Sequence, residues 1–348
     1  MRDKPKEFNG NIPWCRIEDI EGNYFNGTKS NQYVSQETID KMNLKIIPTG
    51  SVICSCSASL GTYAINTCPI ITNQTFIGLV CSEKISNHFL LNLMNMQTRK
   101  LKIIAGGTTI PYISREKFEE YNIKIPSLLE QEKIASFLTL IDKKIEKQKE
   151  LVELLKKYKR GLLSSIFSQK LRFKDDNGND YPAWEEKRLE NILKIKHGKS
   201  QKEIESDNGI YPILATGGEI GRTNSYLWAK PCVLIGRKGT IDKPQYMDTP
   251  FWTVDTLFYS EVFKENNAKY LYFLFNTINW KKYDESTGVP SLSAKTIERI
   301  KVKSSVNYAE QVAISEFLSK FDEKILQEEC ILDKLQNYKK GLLQQMFI

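Results

Sequence analysis

Apolar residues recur along residues 130–168 with the alternating four- and three-residue spacing of a helix that buries one narrow stripe. Ile134, Leu138, Ile141, Ile145, Val152, Leu155, Leu162 and Ile166 fall on that stripe, with mostly charged or polar residues between them. The pattern returns at an offset of 180 residues, in Ile314, Leu318, Phe321, Ile325, Leu332, Leu335, Leu342 and Met346. The stretches 130–168 and 310–348 align without a gap and are identical at 15 of 39 positions. Among these are Glu130/Glu310, Gln131/Gln311, Asp142/Asp322, Tyr158/Tyr338 and the triplets Gly161-Leu162-Leu163 and Gly341-Leu342-Leu343. Gln148 and Glu328 interrupt both stripes at one register. A helix of this length spans roughly 60 Å at 1.5 Å per residue, more than a small domain needs. Each rod is therefore expected to find its partner in the other. The spacing predicts a coiled-coil seam of Ile134, Leu138, Ile141, Ile145 and Leu155 against Ile314, Leu318, Phe321, Ile325 and Leu335.

The segments before the rods repeat more faintly. Ile110-Pro111-Tyr112-Ile113-Ser114 and then Ile123-Lys124-Ile125-Pro126 precede the first rod; Val289-Pro290-Ser291-Leu292-Ser293 and then Ile300-Lys301-Val302 precede the second. Ser51-Val52-Ile53-Cys54 and Pro231-Cys232-Val233-Leu234-Ile235 read as buried strands. Each leads into a glycine-containing turn, at Gly61 or at Gly236 and Gly239. An aromatic strand (Phe76 to Val80; Leu257 to Tyr259) and a short helix (Asn87 to Met96; Ala268 to Asn276) follow in both. The run Asp175-Asp176-Asn177-Gly178-Asn179-Asp180-Tyr181-Pro182 reads as a turn-rich linker. The expected organisation is a globule at 1–127, a helix at 128–170, a linker at 171–183, a second globule at 184–306 and a second helix at 307–348. The expected class is α+β: two mixed α/β domains separated by two long coiled-coil helices, with a pseudo-two-fold internal repeat.

With 348 residues, 41% apolar and 11% aromatic, the chain is long and apolar enough for about two cored domains. No run of 18 apolar residues reads as a membrane span, and the polar stretch from Met1 to Gly10 does not read as a secretory signal. The seven cysteines are an odd number in a large chain, which reads as reduced thiols in a cytoplasm. The net charge is +8, which permits a nucleic-acid partner without requiring one. Each globule is only +3, whereas the first rod is +4 and the second −2. Opposite charge favours one rod meeting the other over each meeting its own copy, although exposed pairs contribute only about 0–1 kcal/mol each. Two separately solvated helix faces are the plainer alternative.

Catalytic constellations are missing from this reading. The two histidines, His88 and His197, disfavour imidazole catalysis or a histidine-rich metal site. Cys54-x-Cys56 lacks both the metal-binding spacing and a second pair, and reads as alternation on a strand. Gly198-Lys199-Ser200 lacks the upstream glycine of a phosphate-binding loop and reads as a strand-end turn. No Asn/Asp-Pro-Pro-aromatic run marks an adenine methyltransferase. No catalytic residue, cofactor or metal site is expected.

The combination of features resembles the specificity subunit of type I restriction–modification enzymes. The resemblance is carried by the paired rods, with Glu-Gln near their start and Tyr-Lys-(Arg/Lys)-Gly-Leu-Leu near their end. Leu171-Arg172-Phe173 through Tyr181-Pro182-Ala183-Trp184 and Ile12-Pro13-Trp14-Cys15-Arg16-Ile17 add to it. It covers the whole chain and implies that each globule is a target-recognition domain reading one half of a split double-stranded DNA site. It further implies that the rods are antiparallel coiled-coil helices that set the spacing and dock two methyltransferase and two restriction/translocase subunits. One departure stands out: the second globule opens with Trp184-Glu185-Glu186-Lys187-Arg188-Leu189 and then Ile195 to Gly198, and the first has no counterpart. Polar, aromatic and basic loops are the expected reading surface: Trp14, Arg16, Ser57 and Ser59 (with Ser55 beside them) in the first globule, and Thr216, Arg222, Trp228, Arg237 and Lys238 in the second. Arginine can bond guanine through two donors, and hydroxyls can bond bases or phosphates. Gly236 and Gly239 are expected to serve the turn itself. The alternative is a non-catalytic coiled-coil protein-interaction adaptor without DNA binding, which would need apolar patches on the globules in place of these loops.

Overall fold

The computed structural model describes residues 4–106 and 112–347. It falls into two compact units: unit 1 comprises residues 1–149 and 330–348, and unit 2 residues 150–329. Each unit therefore holds one globule together with half of each rod. Of the expected repeat, Ile110 and Pro111 lie outside the described residues.

Unit 1 opens with β1 (Ile12–Cys15), β2 (Ile20–Glu21), β3 (Tyr24–Phe25) and β4 (Tyr33–Val34), then α1 (Gln36–Met42). Next come β5 (Val52–Ser55), β6 (Tyr63–Asn66), β7 (Ile71–Thr72) and β8 (Phe76–Leu79), followed by α2 (Asn87–Ile104) and α3 (Arg115–Glu119). The strands form a three-stranded sheet, β4-β1-β7, and a five-stranded sheet, β2-β3-β6-β5-β8. Serine hydroxyls start the helices: Ser35, Ser86 and Ser114 each accept a backbone N–H from the first turn. Helix α2 runs well past Met96, to Ile104. The polar run Gln97-Thr98-Arg99-Lys100 hides its continuation, but Leu101 is fully buried in the core cluster that also holds Val52, Tyr63 and Leu91. Burying such a side chain contributes about 1.5–3 kcal/mol, enough to carry the helix through the polar turn.

The first rod is α4 (Leu128–Phe167). In unit 2, β9 (Glu185–Arg188), β10 (Leu193–Lys196), β11 (Tyr211–Ala215), β12 (Gly218–Thr223), β13 (Cys232–Gly236), β14 (Gln245–Met247), β15 (Trp252–Thr253) and β16 (Leu257–Val262) precede α5 (Ala268–Phe275) and α6 (Ala294–Arg299). Strand β17 (Lys301–Ser304) leads into the second rod, α7 (Tyr308–Met346). The sheets are β12-β11-β15, β10-β16-β13-β14 and β17-β9. The two units share a plan. In each, a central strand has one antiparallel and one parallel neighbour: β1 between β4 and β7, β11 between β12 and β15. In each, a buried strand pairs antiparallel with the aromatic strand: β5 with β8, β13 with β16.

The rods pack together inside each unit. In unit 1, Lys339 donates to Asp142, and just past the end of α7 the ring of Phe347 lies 5.2 Å from that of Phe89 on α2. In unit 2, Lys159 donates to Asp322, the Lys156 ammonium stands 2.8 Å from Glu329, and the Tyr158 and Phe321 rings are 5.7 Å apart. Residue numbers fall along α7 as they rise along α4. Every residue of the expected seam is buried or half-buried. Leu138 and its repeat counterpart Leu318 are both fully buried.

Candidate nucleic-acid interface

The most built-up loop of unit 2 follows β13. All five residues of this strand are buried, and burial pushes the Cys232 thiol up to about 12. Such a thiol stays protonated at neutral pH and behaves as core. The chain then turns through residues 236–240. A Cβ on Gly236 would stand 2.1 Å from the Thr240 carbonyl oxygen, and Gly239 has φ +84°, so the turn needs glycine at both places. The Arg237 N–H donates to the Thr256 carbonyl at 2.8 Å, the Gly239 N–H to the Pro290 carbonyl at 2.8 Å, and the Leu292 N–H to the Arg237 carbonyl at 2.9 Å. The turn is thereby clamped between two other backbone segments.

The second clamp, residues 284–293, is itself fixed by Asp284. Its carboxylate accepts from the N–H groups of Ser286 and Ser291, at 3.0 and 2.9 Å, and from the Ser286 hydroxyl at 2.9 Å. These donors hold the Asp284 carboxyl below its ordinary pKa. Glu285 accepts from the hydroxyls of Ser293 and Thr296, and Ser293 caps α6. A cavity of about 360 Å³ opens beside the turn, lined by Arg237, Lys238, His197, Ser291, Ser293 and Lys295 among others. The Glu285 carboxylate lines it too, so the three cations are in excess over one anion, and with an imidazole and hydroxyls they suit an anionic, hydrogen-bonding partner. His197, Ser291, Ser293 and Lys295 are not among the site residues expected from sequence. The repeated Pro-x-x-Ser pattern around Ser293 is a signal, but it marks the helix cap without revealing that the loop folds onto residues 237–239.

Thr216 joins this group: a Cβ on Gly236 would stand 3.0 Å from its methyl, and one on Gly239 3.7 Å from its hydroxyl. The Arg237 guanidinium donates to the Asp255 carboxylate at 3.0 Å and lies half-buried, while Lys238 is exposed. Arg222 sits apart on β12, held by Glu219 at 2.9 Å. Trp228 packs on Tyr259, with ring centroids 5.3 Å apart, and its indole N–H is buried without a hydrogen-bond partner.

Unit 1 presents different chemistry. Trp14 requires a correction: it is only 4% exposed and packs with Val34, Ile39, Leu44 and Ile71, so it fills a small core and leaves the reading surface. Ser55 is buried as well. Arg16 is half-buried, donating to Gln32 at 2.5 Å with Glu18 at 3.6 Å. Ser57 is half-buried and Ser59 exposed in the turn between β5 and β6. The backbone clamp is the same as in unit 2: the Cys56 N–H donates to Thr75 at 2.8 Å, and the Ile113 N–H to the Cys56 carbonyl at 3.0 Å. Cys56 thus occupies the place of Arg237 and is buried. One frame carries Cys56-Ser57 in one unit and Arg237-Lys238 in the other.

The family model described as type I restriction modification DNA specificity domain matches residues 1–156 and again residues 182–337. The chain belongs to that family. Among relatives of this specificity family, the type I restriction enzyme MjaIX specificity subunit of Methanocaldococcus jannaschii is 30% identical over 225 residues, covering 61% of this chain and 52% of the relative. The chain thus spans about half the length of that relative. The type I restriction enzyme EcoprrI specificity subunit of Escherichia coli is 24% identical over 346 residues, covering 91% of this chain and 82% of the relative. The fold is also similar to the crystal structure of the type I restriction–modification S subunit from M. genitalium, with a TM-score of 0.63 and 21% identity over 97% of this chain and 92% of that one. No helix among the described residues is long and apolar enough to cross a membrane.

Proposed function

We propose that this chain is the DNA-sequence-specificity subunit of a type I restriction–modification complex, itself without catalytic activity. The observation that carries this reading is the double match to the specificity family over two globules built on one plan. Each globule presents one loop in the same backbone clamp, and the two loops differ in chemistry, which supports recognition of two unlike DNA half-sites. In the second globule Thr216, Arg237, Lys238 and the neighbouring Lys295 supply base-edge or phosphate contacts; in the first, Arg16, Ser57 and Ser59 do so. Arg222 and Trp228 flank this surface.

The falling and rising residue numbers of the rod contacts support one antiparallel coiled coil, with Asp142 and Asp322 each meeting the lysine of the opposite helix. The rods also expose apolar side chains, including Leu140 and Leu154 on α4 and Leu326 and Tyr338 on α7. Exposed apolar side chains along both rods suit contact with partner subunits, which supports docking of two methyltransferase and two restriction/translocase subunits there. The complex would work in the cytoplasm, where its DNA is. The test is to purify the chain alone and with the methyltransferase of its own system, then map methylated adenines on genomic DNA. The expected result is no methylation by the chain alone and an asymmetric two-part motif with the partner. Methyl transfer by the pure chain would overturn the reading.

A further inference from the structure

The turn between β15 and β16 brings a carboxylate onto Arg237. Asp255 lies in this turn, which two backbone bonds fix: the Val254 N–H donates to the Leu214 carbonyl at 3.0 Å and the Leu257 N–H to the Val254 carbonyl at 3.1 Å. The bond from the Arg237 N–H to the Thr256 carbonyl ties the two turns together, so the side chains of Arg237 and Asp255 start from a fixed relation. Arg237 Nη1 donates to the Asp255 carboxylate at 3.0 Å and to the Asp255 carbonyl at 3.3 Å. Those two bonds use both hydrogens of Nη1. The edge of the guanidinium that carries the parallel N–H groups of Nε and Nη2 takes no part in them.

The first globule changes both members of this pair together. Its clamp places Cys56 where Arg237 stands and Thr75 where Thr256 stands, so Gln74 stands where Asp255 does. The backbone carbonyl at that place meets the side chain of the clamped turn in both units: the Cys56 Sγ donates to the Gln74 carbonyl at 3.7 Å, as Arg237 Nη1 does to that of Asp255. With arginine the frame carries a carboxylate, and with cysteine a neutral amide. The Asp255 charge opposes that of Arg237, so it weakens the pull of the arginine on a phosphate while leaving its directional donors intact. Lys238 and Lys295 line the cavity beside the turn as compact point charges, the form that suits a phosphate.

We propose that Asp255 is a positioning residue that sets Arg237 to read a guanine in the half-site of the second globule. This rests on the reading of the chain as a DNA-specificity subunit. With Nη1 held, Nε and Nη2 present two parallel donors to N7 and O6, the two acceptors of guanine in the major groove. Adenine offers a donor in place of O6, so one arginine N–H would be left unpaired there, which is the source of the discrimination. Holding Nη1 before DNA arrives also reduces the rotamer freedom that the arginine must lose on binding.

The test compares the full chain, in complex with the methyltransferase of its own system, with the variants Arg237→Ala, Asp255→Ala and Asp255→Asn, by methylome mapping and duplex binding. Arg237→Ala should lower discrimination at one guanine by roughly 5- to 150-fold, and Asp255→Ala should relax the same position by a smaller factor. Asp255→Asn keeps an acceptor for Nη1 and should keep the preference. A duplex with deazaguanine there, which lacks the N7 acceptor, should bind the unaltered complex roughly tenfold more weakly and the Arg237→Ala complex no more weakly than the natural duplex does. Asp255 is exposed, and losing its charge should leave binding to unrelated DNA unchanged or stronger, whereas a damaged fold would weaken both kinds of binding. Tighter binding of all DNA by Asp255→Ala with an unchanged motif would overturn the proposal, since Arg237 would then serve a phosphate. So would a relaxed position with no guanine on either strand. An unaltered complex that marks no two-part motif would overturn the specificity-subunit reading itself, before any variant is compared.

Discussion

Gln131 and Gln311 are one identity of the repeat whose purpose is visible only in the folded chain. Gln131 accepts from the Ser86 N–H at 3.0 Å and donates to the carbonyls of Lys84 and Pro126. Gln311 accepts from the Asn267 N–H at 2.7 Å and donates to the Ser305 carbonyl at 2.9 Å. Each ties the start of a globule's helix to the start of its rod, and both are fully buried. Gln311→Ala leaves a half-buried N–H and a buried carbonyl unpaired, so urea denaturation should show a loss of about 1–3 kcal/mol. A loss within experimental error would mean that water replaces the amide. Arg237 is the residue on which specificity is best tested. If it reads a base, Arg237→Ala should relax one position in one half-site, because a bidentate arginine–guanine pair contributes about 1–3 kcal/mol of discrimination. If it binds phosphate, all sites should weaken together and the salt dependence should flatten by about one contact. Methylation mapping and salt titration separate these, and no change in either would remove Arg237 from the surface.

The long helices are held by a stripe that is buried in both units and by charge pairs at its flanks. Asp142 and Lys339, and Lys159 and Asp322, are repeat-related positions that meet as opposite charges in their respective units. Partly exposed pairs of this kind contribute about 0–1 kcal/mol each, so they select the partner and the apolar stripe supplies most of the stability. Ile145 is 8% exposed in that stripe. Ile145→Asp buries a carboxylate without a partner and should cost about 3–5 kcal/mol in chemical denaturation. Its effect should fall on assembly and site spacing. A variant that keeps full stability but changes which bases are preferred would count against the seam.

For the molecule as a whole, the two units repeat a plan and vary its loops. Recognition should therefore be modular. Replacing residues 184–306 by the matching segment of a relative with another target should change one half of the DNA motif and leave the other half and the spacing unchanged. Methylome sequencing reads this directly, and a change in both halves would show that the globules do not read independently.

Legibility follows the range of the forces involved. The rods are readable because a helix buries one stripe at fixed spacing, and Leu138 or Ile325 announces that stripe without reference to the rest of the chain. The strands β5 and β13 are readable for the same reason, as short aliphatic runs ended by turns. Other features depend on contacts between residues far apart in sequence. Trp14 reads as a surface aromatic beside Arg16, and only the packing of β1 against Val34, Ile39 and Ile71 makes it core. Helix α2 reads as finished at Met96, and only the burial of Leu101 extends it. The clamping of residues 237–239 between Thr256 and the 284–293 loop rests on backbone hydrogen bonds across some 20 to 50 residues of chain, which no local pattern encodes. Periodicity, which is local, determined the elements and their repeat; tertiary packing decided which polar side chains face outward together, because exposure is a property of the whole fold.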